Sequence, residues 1–336
     1  MPGAPRRRAT LKDVASAAGV SLASVSYAVN GTGTLSETMR ARILKVAEGL
    51  GYRQNLAAKT MRTGKSNTLG LVIPDLNNPY FPNLVHATIQ RARQHGYTVI
   101  VLDVEETPML ERKAIETLVG RGTDGLIWFP IRDENSAQGL LDDMPTVIVD
   151  RTIAGFESVR ADVIAGGELA ADHLRELGHR RIGIVSGPFH SHSMTDRCNA
   201  FARKVAEFGE VVFQVENGYT MDLEPAVLQA IRASKATAIF AGGDMIAIGV
   251  MRELQFLGKR IPDDVSVIGM DDIAWAGLCS PPLTTVEIPI EEMAVEAVDA
   301  VVRRIETGME TSRRVILDTK LVRRETTAKC SHPEDG

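Results

Sequence analysis

The most reactive-looking spacings in this 336-residue chain are the paired carboxylates Asp271-Asp272 and the His190-x-His192 pair. Neither builds a reaction centre. Adjacent carboxylates at a strand end point apart, so they do not serve one substrate as acid and base. The histidine pair has no evident third ligand, and zinc needs at least three protein ligands. There is no Gly-x-Ser-x-Gly elbow, His-Glu-x-x-His, P-loop or Gly-x-Gly-x-x-Gly. The three cysteines, Cys198, Cys279 and Cys330, are odd in number and far apart, which argues against a disulfide framework or a zinc site. The sequence therefore predicts neither catalysis nor metal nor cofactor, and leaves recognition as its chemistry.

Two groups of residues carry that chemistry. The first follows strand-like apolar runs: Asp75, Tyr80, Phe81, Asp150, Arg197, Tyr219, Asp244 and Asp271, with His190 at the mouth of a loop. Arginine offers a fixed fork of donors to vicinal hydroxyls or a carboxylate, and aspartate offers acceptors to hydroxyls. Asp150 and Asp271 read as matching acceptors, while Asp272 reads as a cap on the next turn. Each of these is equally the kind of residue that makes a salt bridge or a cap, and Tyr219 is either a stacking wall or core. The second group lies in residues 10–30, where short polar residues begin helices.

The elements that must position these groups are of two kinds. Residues 10–50 read as three helices, Leu11–Ala18 capped by Thr10, Leu22–Asn30 capped by Ser21, and Glu37–Leu50 capped by Ser36. Val25 and Val29 face inward on the second, and Met39, Ile43, Val46 and Leu50 form the buried stripe of the third. Gly19 ends the first helix. Helix, tight turn, helix and a bracing helix is the helix-turn-helix plan. Residues 55–61 form a short helical segment, and residues 62–66 a polar linker. From Thr68 onward, apolar strand-like runs alternate with helix-like segments, from Leu69–Ile73 to Val265–Met270. That rhythm predicts two parallel sheets with helices on both faces, and ligands outside the carboxyl ends of strands.

Charge divides the chain at the same place. Residues 1–65 hold 11 Lys+Arg and 3 Asp+Glu, a net of +8, and the remainder nets −13, within an overall −5. A basic head on an acidic body directs only the head toward a polyanion. No apolar run approaches the ~18 residues of a membrane span, and Met1–Ala9 leads into no apolar signal core. A cytoplasmic location is expected.

The residues also resemble a known family. Thr10-Leu11-Lys12-Asp13-Val14-Ala15, Ala18-Gly19-Val20-Ser21 and Ser24-Val25-Ser26 through Asn30 are similar to the headpiece of the LacI/GalR transcriptional regulators. Gly51-Tyr52, Asn55, Ala58 and Arg62-Thr63-Gly64 resemble its hinge. Ile73-Pro74-Asp75, Asn78-Pro79-Tyr80-Phe81, Val149-Asp150-Arg151, Leu177-Gly178-His179-Arg180-Arg181-Ile182, Gly269-Met270-Asp271-Asp272 and Pro281-Pro282-Leu283-Thr284-Thr285-Val286 resemble its sensor. The blocks run in constant order over roughly residues 9–327.

The resemblance implies a headpiece (1–54), a hinge (55–66) and a two-lobed periplasmic-binding-protein-like sensor (67–330). Its lobes would be 67–161 plus 288–316, and 162–287 plus 317–327. It implies a homodimeric repressor of a double-stranded, pseudo-palindromic operator. A small effector, sugar or sugar derivative, would control it. Leu22, Ala23 and Tyr27 would meet base edges, and Ser21, Ser24 and Ser26 phosphates, with Thr10 and Asn30 in the same blocks. Asn55, Ala58 and Met61 would serve the minor groove, Met61 as the wedge or packed on its dimer mate. Leu22 is alternatively core. A periplasmic-type binding protein without a DNA role is the competing reading, but it would not carry residues 10–64.

Four departures matter. Tyr27 stands where the family most often has arginine, Gln54 where it often has proline, Ala200 where it has glycine, and Gly243 where asparagine commonly precedes the aspartate. Gly243 means that the effector cannot be copied from sugar-binding relatives. The tail, Thr326–Gly336, has no heptad pattern, so a dimer rather than a coil-tied tetramer is expected.

Overall fold

Thr10 begins the first helix by reciprocal capping: its hydroxyl accepts from the Asp13 N–H at 3.3 Å, and the Asp13 carboxylate accepts from the Thr10 N–H at 2.7 Å. The computed structural model describes residues 9–53, 60, 63–309 and 312–330. It divides into two units, Met1–Ser66 and Asn67–Gly336.

In the first unit, α1 (Leu11–Ala18) ends at Gly19, whose φ of 64° is left-handed. Helix α2 (Leu22–Asn30) is capped by Ser21, and α3 (Glu37–Gly49) by Ser36. Val14, Ala18, Val25, Ala28, Ile43 and Ala47 close the core between them. Arg42 Nη2 donates to the Ala18 carbonyl at 2.9 Å and ties α3 to the end of α1. Two expectations change. Leu50 is 43% exposed, because it is the C-cap of α3, where the chain reverses at Gly51 and Tyr52 packs on the core in its place. Val29 is only half-buried, and Ala28 takes the inner position beside Val25.

The second unit holds two six-stranded sheets. The first contains β1 (Thr68–Ile73), β2 (Thr98–Asp103), β3 (Gly125–Trp128), β4 (Thr146–Val149), β5 (Glu157–Ala161) and β11 (Arg314–Leu317). Its order is β11-β5-β4-β3-β1-β2, parallel throughout. The second contains β6 (Arg181–Ser186), β7 (Glu210–Glu216), β8 (Ala238–Ala241), β9 (Ser266–Asp271), β10 (Thr284–Glu287) and β12 (Lys320–Val322). Its order is β12-β10-β9-β8-β6-β7, parallel except for β12 against β10. The chain passes between sheets after β5, after β10 and between β11 and β12.

Helices α4 (Tyr80–Gln94), α5 (Pro108–Gly120) and α10 (Ile290–Thr307) pack on the first sheet. Helices α6 (Val163–Glu176), α7 (His192–Val205), α8 (Pro225–Ala233) and α9 (Asp244–Phe256) pack on the second. The inner strands β3, β4 and β8 are buried along their whole length and apolar except for Thr146, as a sheet covered on both faces requires. Strand order reverses at β1/β3 in one lobe and at β6/β8 in the other. Loops diverge at such reversals and leave a crevice.

Candidate functional site: an interlobe cleft and a headpiece surface

The loops after β1, β2, β3 and β4 meet the first turns of α7 and the end of β9 around a cleft that opens to solvent. On the first lobe the wall is aromatic. Tyr80 and Phe81 begin α4, Phe129 follows β3, and the three rings meet edge to face, with centroids 5.0 to 6.2 Å apart. Such edge-on packing locks each ring against its neighbours. Arg151 lies 5.8 Å from the centroid of Phe129 and donates to Asp150 Oδ2 at 2.8 Å and to the Pro130 carbonyl at 3.0 Å.

The second lobe supplies the charge. Arg197, on α7, donates to Asp271 Oδ1 at 3.1 Å and to the Gly242 carbonyl at 2.9 Å. Its other nitrogens reach the Ser193 carbonyl and hydroxyl, so the guanidinium is fixed although only 6% exposed. Burial works against its charge, but the carboxylates of Asp271 and Asp150 outweigh that and raise its pKa. Asp271 is itself raised by burial, with Arg197 opposing the shift. Asp150 and Asp271 both have left-handed backbones, φ 69° and 130°. Aspartate tolerates that region better than most residues, and held strain of this kind collects at binding sites.

The lining includes Tyr80, Phe81, Asp150, His190, Arg197, Tyr219 and Asp271. Burial raises the pKa of Tyr80 and Tyr219, with Asp150 adding to both. His190 sits exposed at the rim, its pKa lowered by burial and by Arg132 and Arg151. Two expected residues are not in the lining. Asp75 turns back on its own loop, accepting from Asn77 N at 2.8 Å and Asn77 Nδ2 at 2.9 Å. Asp244 is fully buried at the start of α9, where its oxygens accept from Thr285 Oγ1 at 2.6 Å and Ile273 N at 3.0 Å. Asp272 is not a cap but pairs with Arg324 Nη2 at 2.6 Å.

Sequence reasoning passed over Glu106, Phe129, Arg151 and Ser193, which also line the cleft. Glu106 and Phe129 follow β2 and β3, so the strand-end rule itself was the missed signal. Burial, with Asp75 nearby, raises the pKa of Glu106. Asp271 packs closely on Gly243: a Cβ there would lie 3.1 Å from Asp271 Oδ2, so the missing side chain lets that carboxylate approach the backbone.

On the headpiece, Ser21, Leu22, Ala23 and Tyr27 form an exposed strip along α2, with Leu22 47% and Tyr27 45% exposed. Leu22 is therefore not core. Ser21 and Ser24 share a hydroxyl contact of 2.9 Å, and Asn30 Nδ2 donates to the Ser26 carbonyl at 2.7 Å. Thr10 is exposed at the start of α1. Gln54, Asn55, Ala58, Met61 and Arg62 lie outside the described residues.

Residues 10–55 match the bacterial regulatory proteins of the lacI family, and residues 171–327 match a periplasmic binding protein-like domain. The ribose operon repressor of Halalkalibacterium halodurans is 32% identical over 97% of this chain and 99% of its own length. The chain belongs to the LacI family. Among solved structures, a Lac repressor dimer bound to operator and the anti-inducer ONPF is 26% identical, with a TM-score of 0.86 over 96% of this chain and all of that one. A LacI family regulator from Enterococcus faecalis with bound ribose is 26% identical, with a TM-score of 0.72 over 78% of this chain and 99% of that one.

As a LacI-family member the protein is a DNA-binding transcription regulator controlled by a small-molecule effector, not an enzyme. Among the described residues no three His, Cys, Asp or Glu side chains group to hold a metal ion, and no helix is long and apolar enough to cross a membrane.

Proposed function

We propose that this regulator acts as a cytoplasmic homodimer that represses transcription from a pseudo-palindromic operator and senses a sugar or sugar derivative in its interlobe cleft. One observation carries the effector class: Asp150 from one lobe and Asp271 from the other project carboxylates into one cleft, each braced by an arginine. Fixed acceptors and guanidinium donors suit a ligand rich in hydroxyls, and the wall of Tyr80, Phe81 and Phe129 suits the apolar face of a ring. The ribose found in the Enterococcus faecalis relative agrees with that class.

For DNA, the exposed strip on α2 supports entry into a major groove, with Leu22, Ala23 and Tyr27 toward bases and Ser21 toward phosphate. Dimerisation draws support from apolar exposure on the sensor. Gln255 Nε2 donates to the Ser280 carbonyl at 3.0 Å, which brings the end of α9 beside the Trp275–Leu278 turn. There Phe256 is 80%, Leu278 81% and Trp275 42% exposed. Clustered exposed apolar side chains favour association. A ligand shifts operator affinity only through its unequal affinity for two arrangements of the sensor.

The test is selection of DNA sites from a random duplex pool by the full-length protein, repeated with ribose and other pentoses and hexoses. A recovered pseudo-palindrome whose yield changes with one sugar supports the proposal. Retention of DNA binding after removal of residues 1–66 would overturn it.

A further inference from the structure

Tyr27 and Gly33 are locked together on the headpiece. The Tyr27 carbonyl accepts from the Gly31 and Thr32 N–H groups, so the loop after α2 folds back over that residue. The loop brings Gly33, at φ 74°, against the Tyr27 ring. A Cβ built at Gly33 would lie 2.6 Å from Cγ of Tyr27 and 2.8 and 2.9 Å from its two Cδ atoms. The near-equal Cδ distances put that atom over the root of the ring's face. Bending the tip of the side chain does not relieve a clash at the root. Only rotation about χ1 does, and that swings the hydroxyl to a different place. The ring nevertheless remains 45% exposed on the strip that α2 presents.

We infer that Gly33 is a positioning residue for DNA specificity: its missing side chain lets the Tyr27 ring lie against the loop backbone and fixes where the ring edge and hydroxyl meet a base pair. The inference rests on the reading that Tyr27 faces bases. A tyrosine offers one hydroxyl and a flat ring, with none of arginine's fork, so its selectivity depends on being held still. A ring pinned at its root loses less freedom on binding than one sampling several rotamers.

Gly31 supplies the control. Its φ of 69° nearly equals that of Gly33, so alanine strains both backbones alike, yet a Cβ at Gly31 meets nothing within 4 Å. The experiment is site selection from a random duplex pool with four full-length proteins: wild type, Tyr27→Ala, Gly33→Ala and Gly31→Ala. Thermal melting of each tests that Gly33→Ala and Gly31→Ala lose comparable stability. The expected result is a changed preference at one base pair per half-site for Tyr27→Ala and Gly33→Ala, and an unchanged preference for Gly31→Ala. On the wild-type site Gly33→Ala should bind on the order of tenfold more weakly, as for one mismatched base pair.

If Tyr27→Ala changes the preference and Gly33→Ala does not, the positioning role is overturned while the base-reading role of Tyr27 stands. Equal changes for Gly33→Ala and Gly31→Ala also overturn it, since loop strain would then explain both. If Tyr27→Ala leaves the preference untouched, the reading beneath it fails. Where Gly33→Ala abolishes binding, the Tyr27→Ala/Gly33→Ala double variant decides. With the ring gone, the second change should cost no more than Gly31→Ala does, and a larger loss overturns the ring contact.

Discussion

Ser193 Oγ donates to Asp150 Oδ1 at 3.1 Å, a hydrogen bond from the first turn of α7 to the strand-end carboxylate of the opposite lobe. One residue earlier, the His192 N–H donates to Asp133 Oδ2 at 2.9 Å. The first lobe thus sets two carboxylates at the N-terminus of α7, where the helix dipole favours negative charge. The same helix carries Arg197, bound to Asp271 of its own lobe. The cross-lobe contact and the Arg197–Asp271 pair therefore share one element. Ser193→Ala removes the cross-lobe bond and one partner of Arg197. We expect amide exchange over the start of α7 to quicken by about tenfold, from a hydrogen bond to a charged group of roughly 1.5 kcal/mol. Unchanged protection there would show that the contact does not hold the lobes.

Tyr27 gives a prediction about the operator. Arginine reads guanine through two hydrogen bonds, about 1–3 kcal/mol of discrimination for a good bidentate pair, and tyrosine cannot form that fork. Tyr27→Arg should move the selected base at one position of each half-site toward guanine. Identical selected-site logos for the two proteins would refute it.

Local chemistry explains what could be read from the sequence. Caps at Thr10, Ser21 and Ser36 act within three residues, so the three headpiece helices are legible at their N-termini. Buried inner strands announce themselves as unbroken apolar runs. Strand β5 does not, because its Glu157 and Ser158 are buried, and Glu157 is stabilised by Arg303 at 2.7 Å, far along the chain on α10. Helix α10 is amphipathic, and its pattern was legible but passed over. The site follows the same logic. Asp75 and Asp150 both follow strands, yet a neighbouring asparagine captures Asp75, whereas the left-handed turn at Asp150 leaves it in the cleft lining. Nothing at the level of residue type separates them.

Glu111 organises one wall of the cleft from behind. Its carboxylate accepts from the Trp128 indole at 2.9 Å, the Ile131 N–H at 2.8 Å and the Ser136 hydroxyl at 2.6 Å. The segment so held carries Phe129 and Ile131 into the lining. Glu111→Ala leaves three donors without their acceptor and should cost roughly 3 kcal/mol of unfolding free energy. Glu111→Gln, which keeps one acceptor, should cost less. The chain has two tryptophans, and Trp128 is fully buried. In a Trp275→Phe background its emission reports the wall directly, and a red shift is expected for Glu111→Ala. An unshifted spectrum with wild-type stability would remove Glu111 from this role.

Asp244 lies near Asp271 and gives the sensor a pH dependence. Burial raises its pKa, and the nearby charge of Asp271 raises it further, while the Thr285 hydroxyl and Ile273 N–H oppose the shift. Asp272 also faces it but is neutralised by Arg324, as Asp271 is in part by Arg197. The native protein therefore binds more protons at this site than the unfolded chain does, above the ordinary aspartate range of about pH 4. Stability from a raised pKa is present below that range and is lost as pH climbs toward the native value. Asparagine fits the same partners: its carbonyl can accept from Ile273, and its amide can donate to Thr285, whose hydroxyl reverses. Asp244→Asn should match the wild-type melting temperature near pH 4 and exceed it by a widening margin toward pH 8. Parallel melting curves across that interval would mean that Asp244 is ionised throughout. Asp271 would then share the site with a second full negative charge, and Arg197 would have to balance both.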